Sequence, residues 1–182
     1  AACWARIISS HYVLNNMTSN IMWNLLGAYF HGTNWYASSL MTAVQPWSGY
    51  YEYEQMPVIW ATAHYTQFLQ IGWQYLPVGQ GSGELAHGGY YSTLVSPDQK
   101  YFTVIVVKIS RDHAPCTRPE LWDWETDDEI FQLTIDLPGV CGDATTLTWY
   151  SNLEQENAVL FEKQEDLEHP TSAKPGLCSF EI

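Results

Sequence analysis

Glu52 and Glu54 are the first residues to weigh for acid–base chemistry, because they are the only carboxylates in residues 1–69. A pair of carboxylates cleaves a glycosidic bond with retention when the two groups lie about 5 Å apart on opposite sides of that bond. Side chains two positions apart on a strand point instead to the same face. Glu52 and Glu54 do not fit such a pair, and we predict no catalytic residue in this chain.

The other reactive side chains match no metal or nucleophile motif. Six histidines include no HExxH pattern, and the four cysteines are too far apart for a zinc ribbon or a CxxC pair. The "GQGSG" segment lacks the spacing of a phosphate loop or a nucleophile elbow. The acidic run of residues 120–129 lacks the order of a calcium-binding loop and is interpreted as a solvated edge. We expect no metal or other cofactor, and we interpret His64 as a hydrogen-bonded core residue.

Trp23 and Trp35 lie in a stretch, residues 19–35, that contains no lysine, arginine, aspartate or glutamate. A tryptophan at the end of a barrel strand can stack on the C–H face of a sugar, while a neighbouring amide such as Asn24 meets the hydroxyls. The alternative is that both indoles pack in a hydrophobic core, as large aromatic side chains usually do. Composition alone favours core packing.

The charge balance excludes some classes of partner. Seven basic residues against twenty acidic ones give a net charge of -13, so nucleic acid and anionic membranes are not expected partners. No apolar run approaches the roughly 20 residues of a membrane-spanning helix. Up to Leu69 the charged residues are Arg6, Glu52 and Glu54 only. A surface so poor in charge predicts that this part is enclosed by further protein, and hence that the chain is a fragment.

Two weak signals together favour a lysosomal or secreted protein. Residues 16–18 read "NMT", an acceptor pattern for a glycan on Asn16. The cysteine count is even, which is typical of oxidising compartments. Four cysteines allow three ways of forming two disulfides, and spacing does not choose among them.

Residues 1–70 have the pattern of an α/β unit. Apolar positions at helical spacing predict a helix over residues 3–13, and "MTSNIMWNLL" predicts a strand with Met17 and Trp23 on the same face. A second short strand precedes a turn at Pro46, and "IWATAHYTQFLQ" predicts a helix over residues 59–70. Helix, strand, loop and helix in this order suit the closing part of an α/β barrel or a doubly wound sheet.

Residues 71–182 have the alternation of short strands instead. "GYYSTLV" and "YFTVIVVKI" flank the turn "SPDQK" and predict a hairpin, while "IFQLTIDL", "TTLTWYS" and "AVLFEKQ" predict three further strands. Five short strands separated by turns are typical of an antiparallel β-sandwich. We therefore predict two domains, residues 1–70 and residues 71–182.

Several segments, taken in order, carry a resemblance to a known family. "CWARI", "MTSNIMWNLL", "LMTAVQPWSGYY", "AHYTQFLQIGW" and "CTRP" resemble glycoside hydrolase family 59, mainly over residues 3–119. The resemblance implies a TIM barrel followed by a β-sandwich and a lectin-like domain. It implies a lysosomal retaining β-galactosidase whose partners are a galactosylated lipid or other β-galactoside and a lipid-presenting activator protein. Its two catalytic glutamates would precede residue 1.

The resemblance also implies roles for individual residues. Trp23 matches a tryptophan that lines the galactose pocket, and Arg118 matches an arginine that holds a galactose hydroxyl. Trp35 lies near a tyrosine that contacts the sugar, with the adjacent Tyr36 as the alternative match. Cys3 and Cys116 match a disulfide that joins barrel to sandwich. The family pattern has no counterpart for Cys141 and Cys178 or for the acidic run of residues 120–129.

Two alternatives to a galactosidase fragment stay open from the residues. A carbohydrate-binding module without catalysis would also use aromatic platforms on a β-sandwich. An interaction domain could instead dock its apolar first part on a partner chain.

Overall fold

The computed structural model describes residues 2–34, 39–49, 52–86, 88–109, 134–138, 149–152, 159–164 and 177–181. Within these ranges the chain forms two helices and eleven strands, and the strands belong to four separate sheets. The fold is thus a mixture of helix and sheet in which strands predominate.

The first helix, α1 (Ala2–Val13), confirms the prediction for residues 3–13. Ile8 and Val13 are buried on one side of it, and the polar residues Arg6 and Ser9 are buried too. The helix ends where the amide of Leu14 bonds the carbonyl of Ser10, and Asn16 then takes a left-handed conformation with φ 50°. Asparagine tolerates this conformation better than most residues, so the sequence stops the helix here.

The strand predicted over residues 17–26 is wrong in its position. The amide of Met17 bonds the carbonyl of His11, and Asn20 is hydrogen-bonded to the His11 ring. These contacts hold the segment against the end of α1, so it pairs with another strand only from Asn24 onward. The first strand, β1, is Leu26–Tyr29.

The first sheet has three strands. Strand β1 runs parallel to β2 (Met41–Val44), and β2 runs antiparallel to β3 (Glu52–Gln55). The parallel pair is what a barrel or a doubly wound sheet requires, whereas the antiparallel β3 departs from the all-parallel order of a TIM barrel. The described residues therefore show a small mixed sheet, with the short strand predicted before Pro46 confirmed as β2.

The second helix, α2 (Val58–Thr66), is shorter than the predicted residues 59–70. The amide of Gln67 still bonds the carbonyl of Ala63. The carbonyl of Phe68 accepts a hydrogen bond from Thr103 Oγ1 at 2.9 Å, so this end of the segment is held by the neighbouring sheet. Tertiary contact thus replaces the last helical turn that periodicity predicts.

The second sheet consists of β4 (Gln74–Tyr75), β5 (Gly83–Glu84), β6 (Tyr90–Val95) and β7 (Phe102–Val107). Strands β4 and β5 pair with β6, which also pairs antiparallel with β7. The β6–β7 hairpin confirms the prediction. In its turn, the Asp98 carboxylate accepts hydrogen bonds from Ser96 Oγ and the Lys100 amide, which lower the pKa of Asp98.

The main core lies between α1, α2 and the second sheet. It joins side chains from both sides of residue 70, and its buried members are Ala2, Ile8, Tyr65, Leu94, Ile105, Val107 and Ile109. Trp4 and Trp73 pack against its margin. The four-stranded sheet therefore buries its face on the helices of the preceding segment.

The remaining strands form two antiparallel pairs. Strand β8 (Thr134–Pro138) pairs with β11 (Leu177–Glu181), and β9 (Trp149–Asn152) pairs with β10 (Val159–Lys163). Strands β8, β9 and β10 fall in the three segments predicted as strands. Strand β11 was not predicted. Phe131 and Leu133 of the first segment lie outside the described residues.

Candidate functional site

Trp23 presents its indole to solvent. The side chain is 88% exposed, and so are its neighbours Ile21 at 99% and Leu25 at 67%. Trp23 lies three positions before β1 rather than at the carboxyl end of a strand, and its peptide bond to Asn24 is cis. Trp23 is therefore not packed in a core formed by the described residues.

Asn24 directly follows Trp23 and is partly buried. Its carbonyl oxygen accepts a hydrogen bond from the Leu40 amide at 3.0 Å, which begins the pairing of β1 with β2. The side-chain Oδ1 is buried and has no hydrogen-bond partner among the described residues. A Cβ atom added at Gly27 would lie 2.6 Å from Ser39 Oγ and 3.7 Å from Asn24 Oδ1. Glycine at 27 is thus needed for the two segments to approach closely.

A second group of aromatic side chains lies at the other end of β1. The rings of Phe30 and Trp47 are stacked, with centroids 6.2 Å apart and an angle of 23° between planes. Trp47 is 85% exposed and Phe30 is 40% exposed. His31 lies edge-on to Tyr29, with centroids 6.1 Å apart.

Tight turns hold Phe30 and Trp47 in place. The amide of Gln45 bonds the carbonyl of Tyr29 at 2.8 Å, and Ser48 Oγ donates to the carbonyl of Gln45 at 2.6 Å. Thr33 Oγ1 donates to the carbonyl of Phe30 at 2.8 Å. Gln45 and Trp47 have positive φ angles of 48° and 69°. A bulky residue seldom takes this conformation, so the turn fixes the indole at some cost.

Neither Phe30 nor Trp47 was predicted from the sequence as a site residue. Trp47 appeared only as part of the "PWSG" turn. The turn itself was a signal in the sequence, since Trp47 lies between Pro46 and Ser48 and a side chain in a turn has few neighbours that could bury it. The stacking of Trp47 on Phe30 could not be predicted from the sequence, because it depends on the pairing of β1 with β2.

Glu52 and Glu54 lie two apart on β3, as expected, opposite Val44 and Thr42 of β2. Both carboxylates therefore project from the same side of one strand. This arrangement cannot place them on opposite sides of a glycosidic bond. Glu52 and Glu54 together therefore do not have the geometry of a retaining pair.

His64 is hydrogen-bonded, as predicted, but it is only half-buried and lies outside the main core. Its Nε2 lies 2.7 Å from Ser151 Oγ, and its ring contacts Phe161 edge-on with centroids 4.9 Å apart. Burial lowers the pKa of His64. The residue joins α2 to the β9–β10 hairpin and faces no cavity that we identify in the described part of the chain.

A cavity of about 180 Å³ lies between the end of α1 and the β4–β5 segment. Its lining includes Tyr12, Asn16, Tyr75 and Ser82. Tyr12 stacks on Tyr75, with centroids 4.4 Å apart, and burial raises the pKa of Tyr75. Asn16 is exposed at the rim, which is compatible with its predicted glycosylation.

Within the described ranges, no group of three or more histidine, cysteine, aspartate or glutamate side chains could hold a metal ion. No helix in the same ranges is both long enough and apolar enough to cross a membrane.

Several predicted residues lie outside the described ranges. Trp35, Arg118, Cys116 and Cys141 are among them, as is the acidic run of residues 120–129. Cys3 lies in α1 and is not a free thiol. Its pairing with Cys116 therefore stays a prediction, as do the roles of Trp35 and Arg118.

Comparison with known protein families gives the class of protein. The family model described as glycosyl hydrolase family 59 matches residues 1–67, and the model of that family's central domain matches residues 75–174. The chain belongs to glycosyl hydrolase family 59.

The relatives that we compare with this chain are galactocerebrosidases. The chain is 39% identical to the galactocerebrosidase of Danio rerio over all of its length, which is 26% of that relative. It is 44% identical to the galactocerebrosidase of Salmo salar over 65% of this chain and 17% of the relative. Identity to the galactocerebrosidase of Homo sapiens is 35% over 91% of this chain and 23% of the relative. The chain thus spans about a quarter or less of the length of these relatives, and no solved structure matches it significantly.

Proposed function

We propose that this chain is part of a retaining glycoside hydrolase that removes β-linked galactose from galactosylceramide or a related galactolipid. Membership of glycosyl hydrolase family 59 carries this proposal, and the similarity to galactocerebrosidases supports the substrate class. The chain supplies part of the sugar-binding wall and no catalytic carboxylate. The absence of a catalytic carboxylate pair is supported by Glu52 and Glu54, which project from the same face of β3.

In this proposal, residues 1–70 form the closing part of a TIM barrel and residues 71–182 form a β-sandwich. The parallel β1–β2 pair supports the first assignment, and the antiparallel pairs β6–β7, β8–β11 and β9–β10 support the second. The shared core around Ile8 and Ile105 holds the two together. The proposed Cys3–Cys116 disulfide would also join these two parts of the chain. The disulfide would in addition bring Arg118 toward the pocket.

Trp23, Trp35 and Arg118 are proposed to contact galactose. The exposed indole of Trp23 can stack on the C–H face of the sugar ring, because a flat aromatic face needs no hydrogen-bond partner there. The guanidinium of Arg118 can donate to a ring hydroxyl through its fixed fork of N–H groups. Cleavage would proceed by double displacement through a galactosyl-enzyme intermediate.

The compartment and partners follow from the same proposal. A lysosomal or secreted enzyme would carry a glycan on Asn16, which is exposed at the end of α1. A lipid-presenting activator protein would deliver the galactolipid, because the ceramide part is insoluble in water.

The direct test uses the protein in its full natural length and galactosylceramide in detergent micelles. We expect release of galactose that appears first as the β-anomer in an NMR time course, since two displacements retain configuration. Absence of galactose release would overturn the proposal. Galactose binding without release would favour the binding module, and a stable hetero-complex without sugar affinity would favour the interaction domain.

The substitutions Trp23→Ala and Arg118→Ala test the binding wall in the full-length protein. Each should lower kcat/KM for a galactoside by roughly tenfold or more, equivalent to at least about 1.4 kcal/mol, because a contact to the sugar is lost. Both variants should stay folded, and the thermal midpoint of each protein checks this.

Ile21→Ala is the matched control for Trp23→Ala. Ile21 is 99% exposed in the same segment but has no flat ring. We expect its kcat/KM to equal that of wild type. Unchanged kinetics for both Trp23→Ala and Arg118→Ala would contradict the assignment of the pocket.

A further inference from the structure

The contact between Gly27 and Ser39 leaves no space for a side chain at position 27. A Cβ atom added at Gly27 would lie 2.6 Å from Ser39 Oγ and 3.2 Å from Ser39 Cβ. Both distances are shorter than the roughly 3.5–4.0 Å at which non-bonded carbon atoms attract each other. Gly27 must therefore stay a glycine as long as Ser39 keeps its side chain in this place.

Ser39 cannot turn its side chain aside. The residue is 4% exposed, and its Oγ donates to the carbonyl of Met41 at 2.6 Å. Rotating the hydroxyl would break this bond in a buried place, which costs free energy, and would still leave Ser39 Cβ too close. A methyl group at position 27 would therefore push apart the two segments that carry Gly27 and Ser39.

The segment that would be displaced also holds Asn24. Leu40, which follows Ser39, donates its amide to the carbonyl of Asn24 at 3.0 Å, and Met41 donates to the carbonyl of Leu25 at 3.0 Å. Asn24 Oδ1 lies 3.7 Å from the Cβ atom added at Gly27, so the Asn24 side chain adjoins the same contact. A shift of Ser39 is thus transmitted to Asn24, which directly follows Trp23.

The chain before Trp23 is held by different contacts. The amide of Met17 bonds the carbonyl of His11 at 3.0 Å, and the Asn20 side chain is hydrogen-bonded to the His11 ring. Helix α1 therefore fixes the chain up to Asn20, and the segment of Ser39 fixes it from Asn24 onward. A displacement of Asn24 alone must be absorbed between these two points, where Trp23 lies.

We propose that Gly27 and Ser39 are positioning residues for Trp23, and that their close contact sets where the indole meets the sugar. The choice of Trp23 as the residue that is positioned rests on the proposed function, in which its indole stacks on galactose. Stacking on the ring face is alike in the bound substrate and in the transition state. A displaced indole therefore raises KM and leaves kcat unchanged.

The experiment measures KM and kcat of the full-length protein with a galactoside. Gly27→Ala should raise KM by about fivefold or more with kcat unchanged, whereas a loss of stability alone lowers the active fraction and hence the apparent kcat. Gly83→Ala is the matched control, because its added Cβ would meet the Tyr91 hydroxyl at 2.9 Å in the second sheet. Its KM should equal that of wild type. An unchanged KM in Gly27→Ala, or an equal rise in Gly83→Ala, would overturn the proposal.

A double-mutant cycle tests whether the effect passes through Ser39. In a Ser39→Gly background, Gly27→Ala should raise KM by less than about twofold, because the two atoms that the methyl group meets are gone. In a Ser39→Ala background the Cβ contact at 3.2 Å remains, so the rise should be intermediate. This second background gives the measurement if Gly27→Ala alone does not fold. The same rise in all backgrounds, or none in the Ser39→Ala background, would contradict the role of the contact.

Fluorine NMR of protein labelled with a fluorinated tryptophan gives a readout that needs no sugar. The Trp23 signal, assigned by its loss in Trp23→Phe, should move in Gly27→Ala and return in the double variant with Ser39→Gly. The Trp73 signal, from the margin of the main core, should stay in place. A stationary Trp23 signal would overturn the positioning role. Wild-type protein that releases no galactose would instead overturn the proposed function, so the two failures are distinguishable.

Discussion

At the scale of single residues, Tyr65 shows how a polar group is accommodated in this core. Its hydroxyl donates to the carbonyl of Ala5 at 3.2 Å and is hydrogen-bonded with Ser9, which is fully buried. Its ring stacks on Tyr12, with centroids 6.5 Å apart. Burial raises the pKa of Tyr65, so the phenol stays neutral and remains a donor. One hydroxyl of α2 thereby fixes the position of α1.

Tyr65→Phe should destabilise the protein by about 1–3 kcal/mol, because the Ser9 hydroxyl keeps its burial and loses its partner. The free energy of unfolding from urea denaturation measures this loss. Tyr53→Phe is the matched control, since Tyr53 is 57% exposed on β3 and should change stability by less than about 0.5 kcal/mol. Equal stability of the two variants would mean that the Tyr65 hydroxyl contributes nothing.

At the scale of elements, aromatic rings connect α2 to the β9–β10 hairpin. Phe161 stacks on Trp149 and Trp60, with centroids 4.7 Å and 6.2 Å away. His64 adds the polar contact: Ser151 Oγ donates to the carbonyl of Leu160 and so accepts from His64 Nε2. The His64 ring therefore carries its proton on Nε2 when neutral, and Nδ1 is the nitrogen that acid would protonate.

His64 should make the folded protein less stable in acid, because its charged form is disfavoured by burial. Burial holds the pKa of folded His64 below its ordinary value of 6.5, so below that pH the unfolded chain takes up a proton that the folded protein resists. The contribution of His64 to stability is therefore lost as the pH falls from about 6.5.

His64→Gln should flatten the pH dependence, because glutamine keeps an N–H donor for Ser151 and does not titrate. Urea midpoints at about pH 7.5 and about pH 5.5 give the measurement for wild type and variant. We expect a smaller drop on acidification in the variant. As a control, His31→Gln changes an exposed histidine and should leave the wild-type drop intact. An equal drop in wild type and His64→Gln would contradict the prediction.

At the scale of the whole molecule, the core makes the two predicted segments depend on each other. Ile8 of α1 is 3% exposed and lies in the same cluster as Leu94, Ile105 and Val107 of the second sheet. Residues 71–109 therefore bury their sheet on the segment that precedes them. We expect α1 and this sheet to unfold together.

Ile8→Ala tests this coupling. Removing the buried side chain should cost about 2–5 kcal/mol, and hydrogen exchange should accelerate in β6 and β7 as well as in α1. Leu14→Ala, at a position 51% exposed just beyond the helix, should change exchange in neither sheet strand. Faster exchange confined to α1 would show that the two segments unfold independently.

The sequence predicted helices and strands correctly in segments where a single periodicity, helical or strand-like, dominated. Helix α1 and the β6–β7 hairpin lie where spacing and the "SPDQK" turn predict them. The strand predicted over residues 17–26 was misplaced because contacts of Met17 and Asn20 with His11 hold that segment at the end of α1. Helix α2 was predicted too long because the bond between Thr103 and Phe68 is absent from any local pattern. The antiparallel β3 was likewise not predicted, since pairing direction depends on the partner strand.

The sequence by itself determined the class of protein, the neutral character of the first segment and the positions of its strongest helix and hairpin. Residue types and their local spacing carry this information. Only the tertiary structure decided that Trp23 is exposed and lies ahead of β1, and that Phe30 and Trp47 meet at the opposite end of the strand. Exposure and stacking depend on which segments pair across the chain, and a single stretch of sequence contains only one side of each pair.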